Sequence, residues 1–271
     1  MRFLCGGGAP CRGASRKGRL RMIAGSCYVP KKRAVFPRGD DAHFICSEKS
    51  TIGVSDGVGS WIGLGVDPGE YARGLMTSCT DEVGRQEAGR VDLKAVLGAA
   101  FDRTSVKGSA TACLLTLADN GRLRVVNVGD SGFVRIRKGE GVYRSPTQEY
   151  GFNCPYQLGR WTGMDRYSTP SSAQSYEVEV REGDIIVAGT DGLFDNLFVE
   201  QIKEAAEAGI RGGKGLKVVA SLIAARAHAN SLDRTTRTPF SEALAAHGEE
   251  WRHHGGKPDD ITVVVARIVK N

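Results

Sequence analysis

The chain lacks long hydrophobic runs. No stretch approaches the ~18 consecutive apolar residues of a bilayer-spanning helix, and no signal-type apolar core precedes a small-residue cleavage site, so no membrane partner is expected. Cysteine pairs are missing too: the seven cysteines are odd in number and scattered, with no C-x-x-C, which excludes a zinc knuckle and argues for reduced thiols over a disulfide framework. There is no internal repeat, and no Pro- or Ser-rich linker divides the 271 residues, so one domain is the simpler organisation. A P-loop and a G-x-S-x-G elbow are absent. Gly57, Gly59 and Gly63 in DGVGSWIGLG do not have the G-x-G-x-x-G spacing either.

Acid is missing from the start of the chain. Residues 1–39 hold ten Lys or Arg and no Asp or Glu, so the formal charge of +6 sits there; the other 232 residues carry 27 basic and 31 acidic groups, a balance of −4. With no basic face on the body to continue such a contact, no nucleic acid is expected. Residues 1–18 read as a basic flexible tail or a partial transit peptide, which makes a mitochondrion or plastid the expected address and the cytoplasm the alternative.

What is present is an apolar fraction of 41%, enough for a core, in short β-branched runs bounded by Gly, Asn and Asp. Strands are predicted at 19–29, 42–48, 51–56, 109–118, 122–130, 133–138, 142–145, 175–180, 184–190 and 261–269. Asn120-Gly121, and Gly139 with Gly141, mark hairpins. Helical spacing is predicted over 68–83, 92–104, 199–209, 215–230 and 241–247. Tyr71, Leu75 and Met76, then Leu93, Val96, Leu97 and Phe101, form buried stripes. Hairpins with helices inserted in blocks imply an α+β fold: antiparallel sheets covered outside by helices.

Three apolar strands end in an acid followed at once by Gly or Ser: TIGVSDG at Asp56, VVNVGDSG at Asp130 and DIIVAGTDG at Asp191. Asp259-Asp260 lead into ITVVVARIV, and Asp40-Asp41 precede AHFICSE. Antiparallel neighbours put the end of one strand beside the start of the next, so these acids are expected at one edge. A single Asp-Gly is well explained as a turn. Several carboxylates together raise one another's pKa and need cations, and with no His or Cys at the strand ends the ions that suit them are Mg²⁺ or Mn²⁺ rather than zinc. Two such ions would activate a water for phosphoryl hydrolysis without a protein nucleophile.

The ordered motifs GDDAHF, GVSDGVGSW, GSATACLLTL, VVNVGDSGFVRI, VAGTDGLFDNL and KPDDITVVV resemble the metal-dependent protein serine/threonine phosphatases of the protein phosphatase 2C type, from about Leu20 to the C-terminus. The GVDPGEYARGLM, SPTQEYGFNCPYQL and GGKPDDITV wording is similar to the branch with mitochondrial and plastid members. The resemblance implies two central antiparallel sheets sandwiched between helical layers over residues 19–271, and a monomer acting on phosphoserine and phosphothreonine of phosphoprotein substrates. Asp56 would bridge two Mn²⁺ or Mg²⁺ ions, with the Gly57 carbonyl on one. Asp191 and Asp259 would ligate the other, and Asp41 would act through water. Asp130 and Asp195 match acids that hold a weaker third ion in many relatives. Arg33 and Arg38, with Lys31 and Lys32, are the candidates for phosphate contact.

Three departures from the family pattern stand out. Val58 replaces the histidine usually assigned as general acid, Asp40 replaces a glutamate and Asp260 an asparagine. A catalytically inactive binding module on the same fold is the alternative function, which survival of Asp56, Asp191 and Asp259 disfavours. Gly108-Ser109-Ala110-Thr111 reads as a turn into a buried strand, and Asp67-Pro68 as a helix cap. Residues 146–174 read as the longest irregular stretch and the seat of substrate preference.

Overall fold

The structure, a computed structural model, describes residues 19–32, 35–160, 167–248 and 255–270. β1 (Leu20–Val29), β2 (Asp41–Cys46) and β3 (Thr51–Asp56) come first, followed by α1 (Pro68–Arg85) and α2 (Leu93–Arg103). A run of strands follows: β4 (Ser109–Ala110), β5 (Ala112–Leu117), β6 (Arg122–Val128), β7 (Gly132–Ile136) and β8 (Tyr143–Arg144). Short pieces β9 (Glu149–Gly151), β10 (Cys154–Pro155) and β11 (Leu158–Gly159) precede β12 (Gln174–Glu179) and β13 (Ile185–Gly189). The chain closes through α3 (Asp191–Phe194), α4 (Val199–Arg211), α5 (Leu216–Leu232), α6 (Pro239–Ala246) and β14 (Ile261–Lys270).

Ten of the strands form two five-stranded antiparallel sheets, ordered β1-β14-β13-β7-β8 and β12-β6-β5-β3-β2, and the short strands pair as β10-β9 and β11-β4. Alternation within each strand sends one set of side chains to the facing sheet and the other to the helices. Met22, Ile52, Leu115, Phe133, Ile186 and Val264 fill the space between the sheets. Leu114 and Val126 face the opposite way, onto Tyr71, Leu75 and Leu97 of α1 and α2. On the outer face of the other sheet, Val187, Val263 and Val265 pack on Ile202, Val219 and Ile223 of α4 and α5. The result is the expected α+β sandwich with three apolar layers. All five cysteines among the described residues are free thiols.

The local signals fold as their chemistry dictates. Asp67 caps α1 by accepting from Gly69 N (3.0 Å), with Pro68 as the first helical residue. Gly121 and Gly139 take φ of 76° and 78°, the left-handed region a tight turn needs. Residues 146–174, expected to be irregular, instead contain β9 to β11, with β11 paired to β4. Pairs of two or three residues are too short to write an alternating pattern.

Phe133 is fully buried between the sheets, its ring centroid 5.8 Å from that of Tyr143. Phe133→Ala is expected to cost about 3–5 kcal/mol of stability, read from the urea midpoint, because neither sheet can move in to fill the cavity.

Candidate active site

Both sheets present acids at one seam. In β2 and β3, Asp41 lies directly opposite Asp56. Across the seam, β13 runs into Thr190, and the chain turns at once into α3, so Asp191 emerges at the strand end. Thr190 joins the two sheets: its hydroxyl donates to Asp41 Oδ2 (2.7 Å) and accepts from Thr262 N (3.2 Å) of β14. The α3 turn can pass this close to β14 only because residue 192 is glycine, where a Cβ would lie 2.0 Å from the Asp260 carbonyl oxygen. Gly57 is constrained likewise, a Cβ there meeting the Pro68 carbonyl at 2.3 Å.

Asp56 is held through its backbone. Its N–H donates to Thr111 Oγ1 (3.1 Å), its carbonyl accepts from Thr111 N (2.9 Å), and the Thr111 hydroxyl bonds Ser131 Oγ (2.7 Å). The Gly108 to Thr111 segment is thus more than a turn: Thr111 positions Asp56 and lines the cleft.

The cleft measures about 400 Å³ and is lined by Asp56, Gly57, Asp130, Asp191 and Asp259 among others. Burial first, then repulsion from Asp191, Asp41 and Asp259, drives the Asp56 carboxyl well above its usual range. Burial and Asp260 do the same to Asp41, and burial with Asp191 and Asp195 to Asp130. Asp259 is pushed up to about 7 by burial and Asp191, and Asp195 to about 6 by burial against the pull of Lys257. Asp191 is the exception. Burial pushes it up, but the Lys257 ammonium and hydrogen bonds from Asp56, Lys257 and Gly192 N outweigh that, so it stays below the usual carboxylate range.

Sequence reasoning missed Lys257. Its Nζ lies 2.6 Å from Asp191 Oδ2, 2.8 Å from Asp195 Oδ2 and 3.6 Å from Asp259 Oδ2. A basic residue two places before an acid pair was the available signal. Around this ammonium the acids are spread out: among the described residues, no three acidic, histidine or cysteine side chains close on one ion-sized point. The donor set nevertheless fits hard divalent ions. Asp41 Oδ1, Asp130 Oδ1 and Asp191 Oδ1 are buried without a hydrogen-bond donor, and the cleft offers oxygens rather than imidazole.

The expected phosphate contacts fare differently. Arg33 lies outside the described residues. Arg38 is 74% exposed, 3.9 Å from Asp67 and away from the cleft lining. Lys31 does line the cleft, its Nζ 3.8 Å from Asp259 Oδ1 and its backbone N–H on Asp260 Oδ1 (3.1 Å). His43 is a packed strand residue, with Nε2 2.9 Å from Ser26 Oγ and its pKa lowered by burial. Val58 lines the cleft and offers no proton.

The family described as Stage II sporulation protein E (SpoIIE) matches residues 62–269. "Probable protein phosphatase 2C 80" of Arabidopsis thaliana is 42% identical over 253 residues, covering 93% of this chain but 60% of that protein. The chain therefore spans less than two thirds of that relative's length. The X-ray structure of the photosystem II phosphatase PBCP is 32% identical and superposes with a TM-score of 0.81 over 91% of this chain and 98% of that one. The catalytic domain of the serine threonine protein phosphatase PstP, in complex with two manganese ions, shares the fold at a TM-score of 0.63 and 18% identity, over 93% of this chain and all of that one.

The raised carboxyl groups fix a pH dependence for the metal-free protein. Asp41, Asp56, Asp130, Asp195 and Asp259 bind protons more tightly folded than unfolded, so the stability they lend is complete below the unfolded value and is lost as pH rises through the folded ones. Asp191, shifted the other way, acts only below about pH 4. In EDTA the melting temperature should therefore fall between about pH 5 and about pH 8, and Mn²⁺ should remove that fall.

Proposed function

The chain belongs to the protein phosphatase 2C family, and on that footing we propose that it hydrolyses phosphoserine and phosphothreonine on phosphoprotein substrates, with residues 19–271 as a single catalytic domain. The observation that carries this reading is the gathering of Asp41, Asp56, Asp130, Asp191 and Asp259 along one seam, where buried Asp41, Asp130 and Asp191 each keep one carboxylate oxygen without a donor. Such a cluster is costly unless cations enter it. Bound Mn²⁺ or Mg²⁺ would supply Lewis acidity and an activated water.

Within this reading each residue has a task. Asp56, the Gly57 carbonyl, Asp191 and Asp259 would hold two ions, Asp41 would act from behind them, and Asp130 with Asp195 would take a weaker third. Thr190 fixes the rotamer of Asp41, and Thr111 fixes the backbone of Asp56. Lys31, one of the four basic candidates, is held by its backbone N–H on Asp260 and lines the cleft, where it would contact a phosphoryl oxygen. Because Val58 carries no proton, the leaving group must be protonated by water or by another group in the cleft, which favours good leaving groups. The basic, acid-free residues 1–18 support an organellar address, mitochondrion or plastid, with the cytoplasm as the alternative.

Hydrolysis of p-nitrophenyl phosphate and of a phosphothreonine peptide should require Mn²⁺ or Mg²⁺, stop in EDTA, and drop on the order of 10³-fold in Asp191→Asn. Folded protein without turnover in any ion would favour the binding-module alternative. The hairpin of β9 and β10 walls the cleft through Asn153, Cys154 and Pro155. Replacing residues 149–155 with a short Gly/Ser linker should change the ranking of phosphopeptides while sparing the aryl phosphate; equal loss on both would remove the hairpin from substrate choice.

A further inference from the structure

We propose that Lys257 is a tethered counter-cation for the acid cluster, that a divalent ion must displace its ammonium to bind, and that this displacement releases the β9–β10 hairpin. The inference rests on the metal-dependent reading above.

An ammonium has three donors. Those of Lys257 all go to oxygens: Asp191 Oδ2 at 2.6 Å, Asp195 Oδ2 at 2.8 Å and Asn153 Oδ1 at 2.9 Å, while Asp259 Oδ2 lies 3.6 Å away. The side chain is only 17% exposed and passes the Phe240 ring, whose centroid lies 5.5 Å from Nζ. Lys257 therefore sits among the same carboxylates that the family pattern gives to ions. Its single charge faces at least three acids, Asp191, Asp195 and Asp259.

The backbone of Lys257 is clamped to the acid-bearing turn. Lys257 N donates to Asn196 Oδ1 (2.9 Å), and Asn196 Nδ2 donates to Lys257 O (2.9 Å) and to Gly192 O (2.9 Å). Asn196 is fully buried and follows Asp195 directly. The root of the side chain cannot leave the site, so only the flexible stem can move.

A divalent ion and this ammonium compete for the same oxygens. The ion needs carboxylate contacts at about 2.0–2.2 Å and brings twice the charge. A neighbouring ammonium at its present distance would repel it strongly in a buried cleft. Swinging the ammonium out also breaks its bond to Asn153. That residue holds the β9–β10 turn in the left-handed region at φ 52°, which asparagine tolerates, and its side chain reaches from the hairpin to Lys257. Loss of the bond unties that wall of the cleft from the cluster, so ion occupancy and hairpin freedom are coupled.

Wild-type protein answers the question directly. An amine-reactive acetylating reagent, with Lys257 followed by peptide mass spectrometry, should label it slowly in EDTA and roughly tenfold or more faster at saturating Mn²⁺. Amide exchange at 149–155 should speed up with Mn²⁺ in the wild type and be fast already in EDTA in Lys257→Met. That variant should also bind Mn²⁺ roughly tenfold more tightly by calorimetry. Mn²⁺ binding, shown by heat on the same sample, with Lys257 still protected and the hairpin unchanged would overturn this inference alone. No Mn²⁺ heat in either protein would remove the metal-dependent reading and this inference with it.

Discussion

Carboxylates gathered in one narrow cleft repel one another, and the cost grows with every one that stays ionised. Here Asp41, Asp56, Asp130, Asp191 and Asp259 share one seam, and most of the architecture around them serves to hold them there against that cost. The Thr190 hydroxyl ties one sheet to Asp41 of the other. Thr111 pins Asp56 through two backbone bonds, and Gly192 lets the Asp191 turn close on β14. Remove the need for cations and none of these arrangements has an evident purpose.

The apolar layers make that seam rigid. Asp56 ends β3 and Asp191 opens α3 two residues after β13, and both strands are buried almost throughout, so each carboxylate is placed by a packed backbone rather than by a loop. Pre-organisation of this kind is what a site needs when its ligands gain little from chelation until an ion arrives. Lys257 fits the same logic from the opposite side. A resident ammonium lowers the cost of the metal-free state without closing the site permanently, because its attachment to Asn196 is at the backbone and its contacts with the acids are at the tip.

Much of this was legible in the residues. The β-branched runs before the Asp-Gly pairs became β3 and β13, since alternation and burial leave a strand little choice; antiparallel pairing set Asp41 opposite Asp56, while Asp191, at the start of α3, meets them across the seam from the other sheet. The stripe of Tyr71, Leu75 and Met76 faces a sheet as its spacing implies. What stayed hidden depends on distance along the chain. Nothing local distinguishes Lys31 from Arg38, yet one lines the cleft and the other lies beside Asp67. Asn153 reaches Lys257 across 104 positions, and Thr190 reaches Asp41 across 149. A hydroxyl or amide that acts through such a contact leaves no periodic trace, and strands as short as β9 to β11 leave none either.

Anomalous diffraction from crystals grown with Mn²⁺ tests the central claim most directly, because it locates ions without reference to turnover. The account predicts two strong peaks in the cleft, one between Asp56 and the Gly57 carbonyl and one among Asp56, Asp191 and Asp259, with Lys257 Nζ withdrawn from Asp191. A cleft without peaks at saturating Mn²⁺, with the ammonium still seated among the acids, would contradict it.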